Sequence, residues 1–474
     1  MRDLFLTLFV FGMLPVAVFQ PYVGVYLWAW ISYMNPHRLT WSFAYDFRFN
    51  FFVAVTTIAG IILFWKKTSK IPRCFTTYLL FGFLFWTTVS SYFSINYPWT
   101  HWQQLVKIYA MIVATFLVID SRKKITVLVA IITLSVGFFG VKGGIFTITT
   151  GGNFQVVGPA RSFFSDNNMF ALAELMVVPM FLFLRSESKS FWLRLSFLVM
   201  SMLSALSIVG SYSRGGLVGL VVIVSYFWLR SKAKIRIAAI IFFLVPIVFN
   251  LMAERWQERM ISMTEKFEIP QELTELFTPK ELFDVSNSPF PDVYKTEEEE
   301  SEPSFTSDSS FRGRLDAWEL AWLVALDRPF YGGGFNTFHY NVFRRYLPNV
   351  QRRAAHSLYF QVLGEHGFVG FGFWMLMHIA AYRVRNSIIR MTRKVPDLLW
   401  ASELARYIGI SMIGYYVGGV FLGLAYFDLP LHYISILIIL RVIVKRELAK
   451  IKVPPKEPTM FPYVPGQAKG LPIS

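Results

Sequence analysis

Apolar runs long enough to cross a bilayer recur along almost the whole chain. After an N-terminal pair, Leu4–Val18 and Tyr22–Met34, they fall at 49–65, 74–93, 103–119, 125–148, 167–184, 191–210, 215–230, 235–252, 367–382, 402–425 and 430–444. A hydrocarbon core about 30 Å thick takes roughly 20 helical residues to cross. Within lipid, a spanning segment must satisfy its backbone polar groups internally, which leaves helices for runs of this length. The expectation is an all-α polytopic membrane protein with about 12 transmembrane helices, or 13 if the N-terminal pair counts as two. That pair, joined at Gln20-Pro21, is too long for one straight span and barely long enough for two. A short hairpin and one broken helix both fit. No small-residue cleavage site follows it, so it does not read as a cleaved signal peptide. Composition agrees: 16% of the 474 residues are charged and 54% hydrophobic, against about 25% charged in soluble domains. The single cysteine, Cys74, excludes a disulfide framework and any multi-cysteine metal site.

The net charge of +16 could suggest nucleic acid, but the placement of the charge argues against it. Lysine and arginine concentrate in short loops: Lys66–Arg73, Arg122–Lys124, Arg185–Arg194, Arg230–Arg236, Arg383–Lys394 and the tail Arg441–Lys456. They alternate with loops nearly free of either residue, which is the pattern that sets membrane topology. The rich side is cytoplasmic, so the C-terminus is expected inside. Segments 94–102, 151–166, 211–215, 253–366 and 425–430 are expected outside. Four regions follow: a membrane region 1–190, a second region 191–382 containing the outer loop 253–366, helices over 383–447, and a tail 448–474. Within the loop, Glu254–Glu281 reads as an amphipathic helix. NSPFPDVYKTEEEESEPSFTSDSS reads as a mobile linker, with too little to bury. From Phe311 a second amphipathic helix is expected, with Leu315, Trp318, Leu320, Trp322 and Leu326 as its apolar face, ended by Pro329 and Gly332-Gly333-Gly334.

Against that topology, lone outer arginines stand out. Arg161 and Arg214 break the charge asymmetry, and Arg312, Arg314, Arg352, Arg353 and His356 join them on the same side. For each lone arginine the competing explanation is snorkelling or a local ion pair. As a set they suit an anionic substrate, because guanidinium groups stay charged and grip phosphate oxygens in pairs. A histidine among arginines is disfavoured as a cation and is therefore available to accept a proton. His356 and Glu365 lie nine residues apart, about half a turn out of phase on one helix at about 100° per residue, so Glu365 does not orient His356. Nor do His356, Glu365 and His366 carry a zinc spacing, so no metal and no cofactor is expected. YGGGF lacks the Lys-Ser/Thr of a phosphate loop. Within the spans, Lys107, Lys142, Glu174, Glu403 and Arg406 are the charges to explain, and Glu174 most needs a partner on a neighbouring helix.

Three blocks, SYSRGGLVG, GRLDAWELAW…DRPFYGGGFNTF and AAHSLYFQVLGEHGFVG, resemble the O-antigen ligase and polymerase superfamily of bacterial inner-membrane proteins. The stretch PYVGVYLWAWISYMNPHRLTWSFAYDF is similar to the exosortase A-associated branch of O-glycosylation ligases. The resemblance implies glycosyl transfer at the periplasmic face. A glycan on undecaprenyl pyrophosphate would pass to an acceptor hydroxyl, without metal or nucleotide sugar. By matching position, His356 is the implied general base and Arg214 a contact to the pyrophosphate. Arg314 matches an R-x-x-x-W block; Arg312 is too close in sequence to be separated from it. Arg161 lies in a segment similar to the family's R-x-x-G pattern, with Phe164 where glycine is usual. The partners so implied are the lipid-linked donor, a hydroxyl on protein, lipid A-core or another surface molecule, and the bilayer, with no nucleic acid. A polymerase of lipid-linked repeat units, a flippase and an inactive scaffold are the competing readings.

Overall fold

The computed structural model describes residues 1–261 and 307–452. The linker over 287–306, the part of the expected helix beyond Ile261 and the tail from 453 lie outside them. Every regular element of seven or more residues among the described residues is an α-helix. They are α1 (Arg2–Phe19), α2 (Pro21–Met34), α3 (Phe49–Leu63), α4 (Phe75–Tyr92), α5 (Trp99–Val118), α6 (Arg122–Thr149), α7 (Asn167–Glu187), α8 (Phe191–Gly210), α9 (Arg214–Arg230), α10 (Lys234–Leu251), α11 (Glu254–Ile261), α12 (Ser307–Asp327), α13 (Tyr340–Tyr346), α14 (Leu358–Thr392), α15 (Leu399–Gly418) and α16 (Asp428–Lys452). By length and apolar composition, α1, α6, α7 and α8 meet the requirement for crossing a membrane.

The N-terminal pair is a hairpin. A single non-helical residue, Gln20, separates α1 from α2, and Pro21 begins the second helix, where its missing N–H costs nothing. Phe9 and Trp30 stack edge to face with ring centroids 5.5 Å apart, which a continuous rod would hold roughly 30 Å apart. α3 packs on both arms.

Two helices run through the centre. From Phe170 to Phe181 every side chain of α7 is buried, and so is every one from Phe427 to Leu440 around α16. Peripheral helices do the opposite. Leu4, Phe5 and Leu8 on α1, Phe51 and Ile62 on α3, Phe85 on α4, Trp192 on α8, Val221 on α9 and Phe242 on α10 all project outward. Contiguous apolar surface on this scale calls for an apolar surrounding. Inside the bundle, Glu174 of α7 is fully buried. Gly140 of α6 makes room for its carboxylate: a Cβ there would stand 2.1 Å from Glu174 Oε2 and 2.4 Å from Ser204 Oγ on α8.

The connections gather at the two ends of the bundle. At one end, Tyr26 Oη donates to Lys124 O at 3.0 Å, Arg122 pairs with Glu187 at 2.8 Å, and Arg446 donates to Asp120 O at 2.8 Å. At the other, the Ile95 N–H donates to Gly333 O, that of Val156 to Gly210 O, that of Ala253 to Gly151 O and that of Leu358 to Gly419 O, all at 2.8–3.0 Å.

The second amphipathic helix differs from expectation. It begins at Ser307, inside the segment read as linker, not at Phe311. Its buried stripe is Ala317, Leu320, Ala321, Val324 and Ala325, while Leu326 is exposed. Small residues decide the face because α12 lies close on α14: a Cβ on Gly364 would meet Ala321 Cβ at 3.0 Å.

Candidate functional site

The site is built around the break in α14 and the turn after α15. At Gly367 the backbone leaves the helix (φ 66°, ψ −173°), a conformation open to glycine. A break of this kind frees carbonyls in the preceding turn, and the glycine turn after α12 takes them up. The Gly333 N–H donates to Gly364 O at 2.9 Å and the Gly334 N–H to Glu365 O at 2.8 Å. Side chains are excluded from that turn, since a Cβ on Gly332 would stand 2.6 Å from Gly364 O. YGGGF is therefore a docking turn that fixes α12 against α14.

His356 precedes α14 and has φ 43°, a strained setting for a side-chain-bearing residue. Neighbours on three sides hold it there. Trp318 Nε1 donates to Ala355 O at 2.9 Å, and the indole stacks on Phe360 at 4.9 Å. Ser357 is buried at 1% exposure, and Leu358 is bonded to Gly419. On the other flank, Gly423 lies in van der Waals contact: a Cβ there would be 3.6 Å from His356 N. The imidazole is half-buried. Burial, then the charges of Arg314 and Arg353, push its pKa below the ordinary histidine value, while Asp166 pulls the other way. His356 is thus neutral at pH 7 and can accept a proton.

The same turn after α15 reaches Arg214. The residue following it, Gly215, abuts that turn, and a Cβ on it would meet Leu422 Cγ at 3.0 Å and Gly418 O at 3.3 Å. Ser213 caps α9, accepting from the Gly216 N–H at 3.2 Å, and donates to Asn168 Oδ1 at 2.9 Å. Asp166 in turn caps α7, accepting from the Asn168 and Met169 N–H groups at 2.7 and 2.8 Å. Arg214 and His356 therefore flank one turn, with the N-terminus of α7 close to both.

The remaining candidates separate. Arg312 and Arg314 are two positions apart on α12, about 200° round the helix. Arg314 is half-buried and acts on His356, whereas Arg312 is exposed and acts on Asp316. Arg161 makes its contacts elsewhere: it pairs with Asp46 Oδ1 at 3.2 Å, beside Arg38, and lies over the Tyr45 ring. Arg352 is exposed, with its Nε donating to Phe338 O at 3.3 Å.

Glu365 and His366 are packed behind the site. Glu365 accepts from Tyr426 Oη at 2.5 Å. It lies just before the break at Gly367, and burial raises its pKa to about 8 against the opposing hydrogen bonds of Tyr426, the Asn336 backbone and Gln361. His366 Nδ1 lies 2.6 Å from Ser90 Oγ on α4. Two residues packed around the site are not marked by the sequence as functional. Asp166 was visible only as a helix-start signal ahead of an apolar run, and Tyr426 carried no signal at all.

Comparison with known proteins adds a family. Residues 198–375 match the family model for O-antigen ligase. The matched segment contains Arg214, Arg312, Arg314 and His356, though not Asp166 or the 418–423 turn. The match supports the O-antigen ligase superfamily and glycan transfer of its ligase or polymerase type. Residues 1–189 match a family of unknown function. No match was found among curated proteins.

Proposed function

We propose that this chain moves a glycan from an undecaprenyl-pyrophosphate carrier to an acceptor hydroxyl, at the periplasmic face of the bacterial inner membrane. The observation that carries the reading is the neutral, half-buried His356 held beside Arg314 and Arg353, across one turn from Arg214. His356 takes the proton of the acceptor hydroxyl as its oxygen attacks the anomeric carbon. The bond from that carbon to the phosphate oxygen breaks, and the lipid pyrophosphate leaves. Arg214 and Arg314 stabilise the charge that develops on it, whereas Arg312 and Arg161, engaged with Asp316 and Asp46, contribute only to the positive field around the site. The base must be uncharged and the leaving group must meet cations, and the two demands agree at Arg314: after burial, its charge is the largest influence that lowers the His356 pKa.

In this reading α1–α10, the part of α14 that follows the break at Gly367, α15 and α16 cross the bilayer, the loop over 253–366 lies in the periplasm and the C-terminus is cytoplasmic. The N-terminal region would be that of the exosortase A-associated branch, which favours ligation over polymerisation. The test is to replace His356 or Arg214 with alanine and follow glycosylated product together with undecaprenyl-linked glycan. Product should fall by around 10²-fold or more, with full-length donor chains accumulating and the protein inserted normally. Unchanged product in both variants would overturn the assignment, and accumulation of single repeat units would make the chain a polymerase.

A further inference from the structure

A second cluster of arginines lies far from His356. α9 begins with Arg214 and ends with Arg230, and Arg383 lies 16 positions beyond the break at Gly367, each separation about 24 Å along a helix. At that far end, α9, α14 and α15 enclose a cavity of about 750 Å³. Arg230, Arg383, Arg385, Arg390 and Arg406 line it with a single carboxylate, Glu403. Five guanidinium groups against one carboxylate leave four positive charges. Glu403 is already engaged by Arg406 at 2.6 Å.

Topology explains why arginines occur at this end, but not why they converge on a cavity. Arg385 shows that the convergence is built. Its Nη1 donates to Asn386 Oδ1 at 2.7 Å, and its Nε is buried without a hydrogen-bond partner among the described residues. Gly409 on α15 provides the space, since a Cβ there would lie 2.6 Å from that Nε. The other wall is apolar and aromatic, with Phe227, Tyr407 and Ile410 beside the arginines. α9 and α14 each pack along α15 and the cavity lies between them. A phosphate at the arginines and an acyl chain along the aromatic wall would match both halves; a soluble anion would match only the first.

We propose that this cavity is a second binding site, for the phosphate headgroup of an anionic phospholipid, at the end of the bundle opposite His356. The test uses the full-length protein in detergent, titrated with phosphatidylglycerol, phosphatidylcholine or inorganic phosphate. Native mass spectrometry reads lipid occupancy and thermal unfolding reads stabilisation. Phosphatidylglycerol should bind saturably, and about tenfold or more tightly than phosphatidylcholine. The double variant Arg383→Gln/Arg390→Gln, at two exposed positions, should lose about tenfold in that affinity while unfolding at the wild-type temperature without lipid. The control pair Lys66→Gln/Lys67→Gln, in another basic loop, should bind as wild type. Equal binding of the two lipids, or equal losses in both double variants, would overturn the site in favour of diffuse attraction. Stabilisation by inorganic phosphate that matches the lipid's would overturn the lipid assignment.

Discussion

Among single residues, the proposed chemistry rests on a histidine kept neutral by its surroundings. Burial and the charges of Arg314 and Arg353 lower its pKa, so the neutral base is present above that pKa and lost as pH falls through it. Activity should therefore hold through neutral pH and decline only below about pH 6.5. Replacing Arg353 with glutamine removes one cation and should move the acid limb of the pH–rate profile upward. An unmoved limb would mean that His356 is not the group titrating. Glu365 behaves in the opposite sense. Its folded-state pKa of about 8 lies above the ordinary glutamate value of 4.5. The neutral form is the one the fold prefers, so its contribution is complete below pH 4.5 and is lost as pH rises towards 8. Glu365→Gln should accordingly raise the unfolding temperature at pH 8 relative to wild type and leave the difference small at pH 4.5. Arg161 and Arg214 could be picked out in sequence because their charge contradicts the topology, and His356 because it lies among further arginines of the same loop. Asp166 reads only as a local helix cap, and its approach to His356 depends on the fold; Tyr426 meets Glu365 across 61 residues of chain.

Element by element, glycines and alanines decide what the apolar pattern does not. The three-glycine turn reads in sequence only as a helix stop, yet its N–H groups cap the carbonyls freed at Gly367. Gly332→Ala puts a Cβ 2.6 Å from Gly364 O at a residue with φ 59°. It should cost about 1–3 kcal/mol of stability through backbone strain alone, read as a lower unfolding temperature in detergent, and should weaken activity by loosening α12. A variant as stable as wild type would show that the turn can shift at little cost. On α12 the alanine stripe Ala317, Ala321 and Ala325 is the buried face. Counting large apolar residues selected Leu326, which is exposed, because hydrophobicity alone does not register how near two helix axes come.

For the whole molecule, the alternation of basic and non-basic loops predicts a definite sidedness. A Cys74→Ser background, free of native thiols, allows single cysteines to report it. Cysteine at exposed Asn153 or Arg352 should react with a membrane-impermeant thiol reagent in intact spheroplasts, and cysteine at exposed Lys66 or Lys123 only after permeabilisation. The reverse pattern would invert the molecule and with it the proposed function. Because α1 and α2 fold back on each other, Met1 is expected on the same side as Asn153.

From the chain alone the helical class, the expected division of loops into two sets and the residue types suited to an anionic leaving group are legible. All of these depend on local composition: run length against bilayer thickness, lysine and arginine counts, and charge out of place. Tertiary structure alone decided that the N-terminal pair is a hairpin, that Arg314 and not Arg312 acts on His356, and that Arg161 pairs with Asp46. It also decided that the 418–423 turn joins Arg214 to His356 and that a second set of arginines encloses a cavity. The physical reason is that helix phase, axis separation and the routes of turns depend on contacts between segments distant in the chain, which no local pattern encodes.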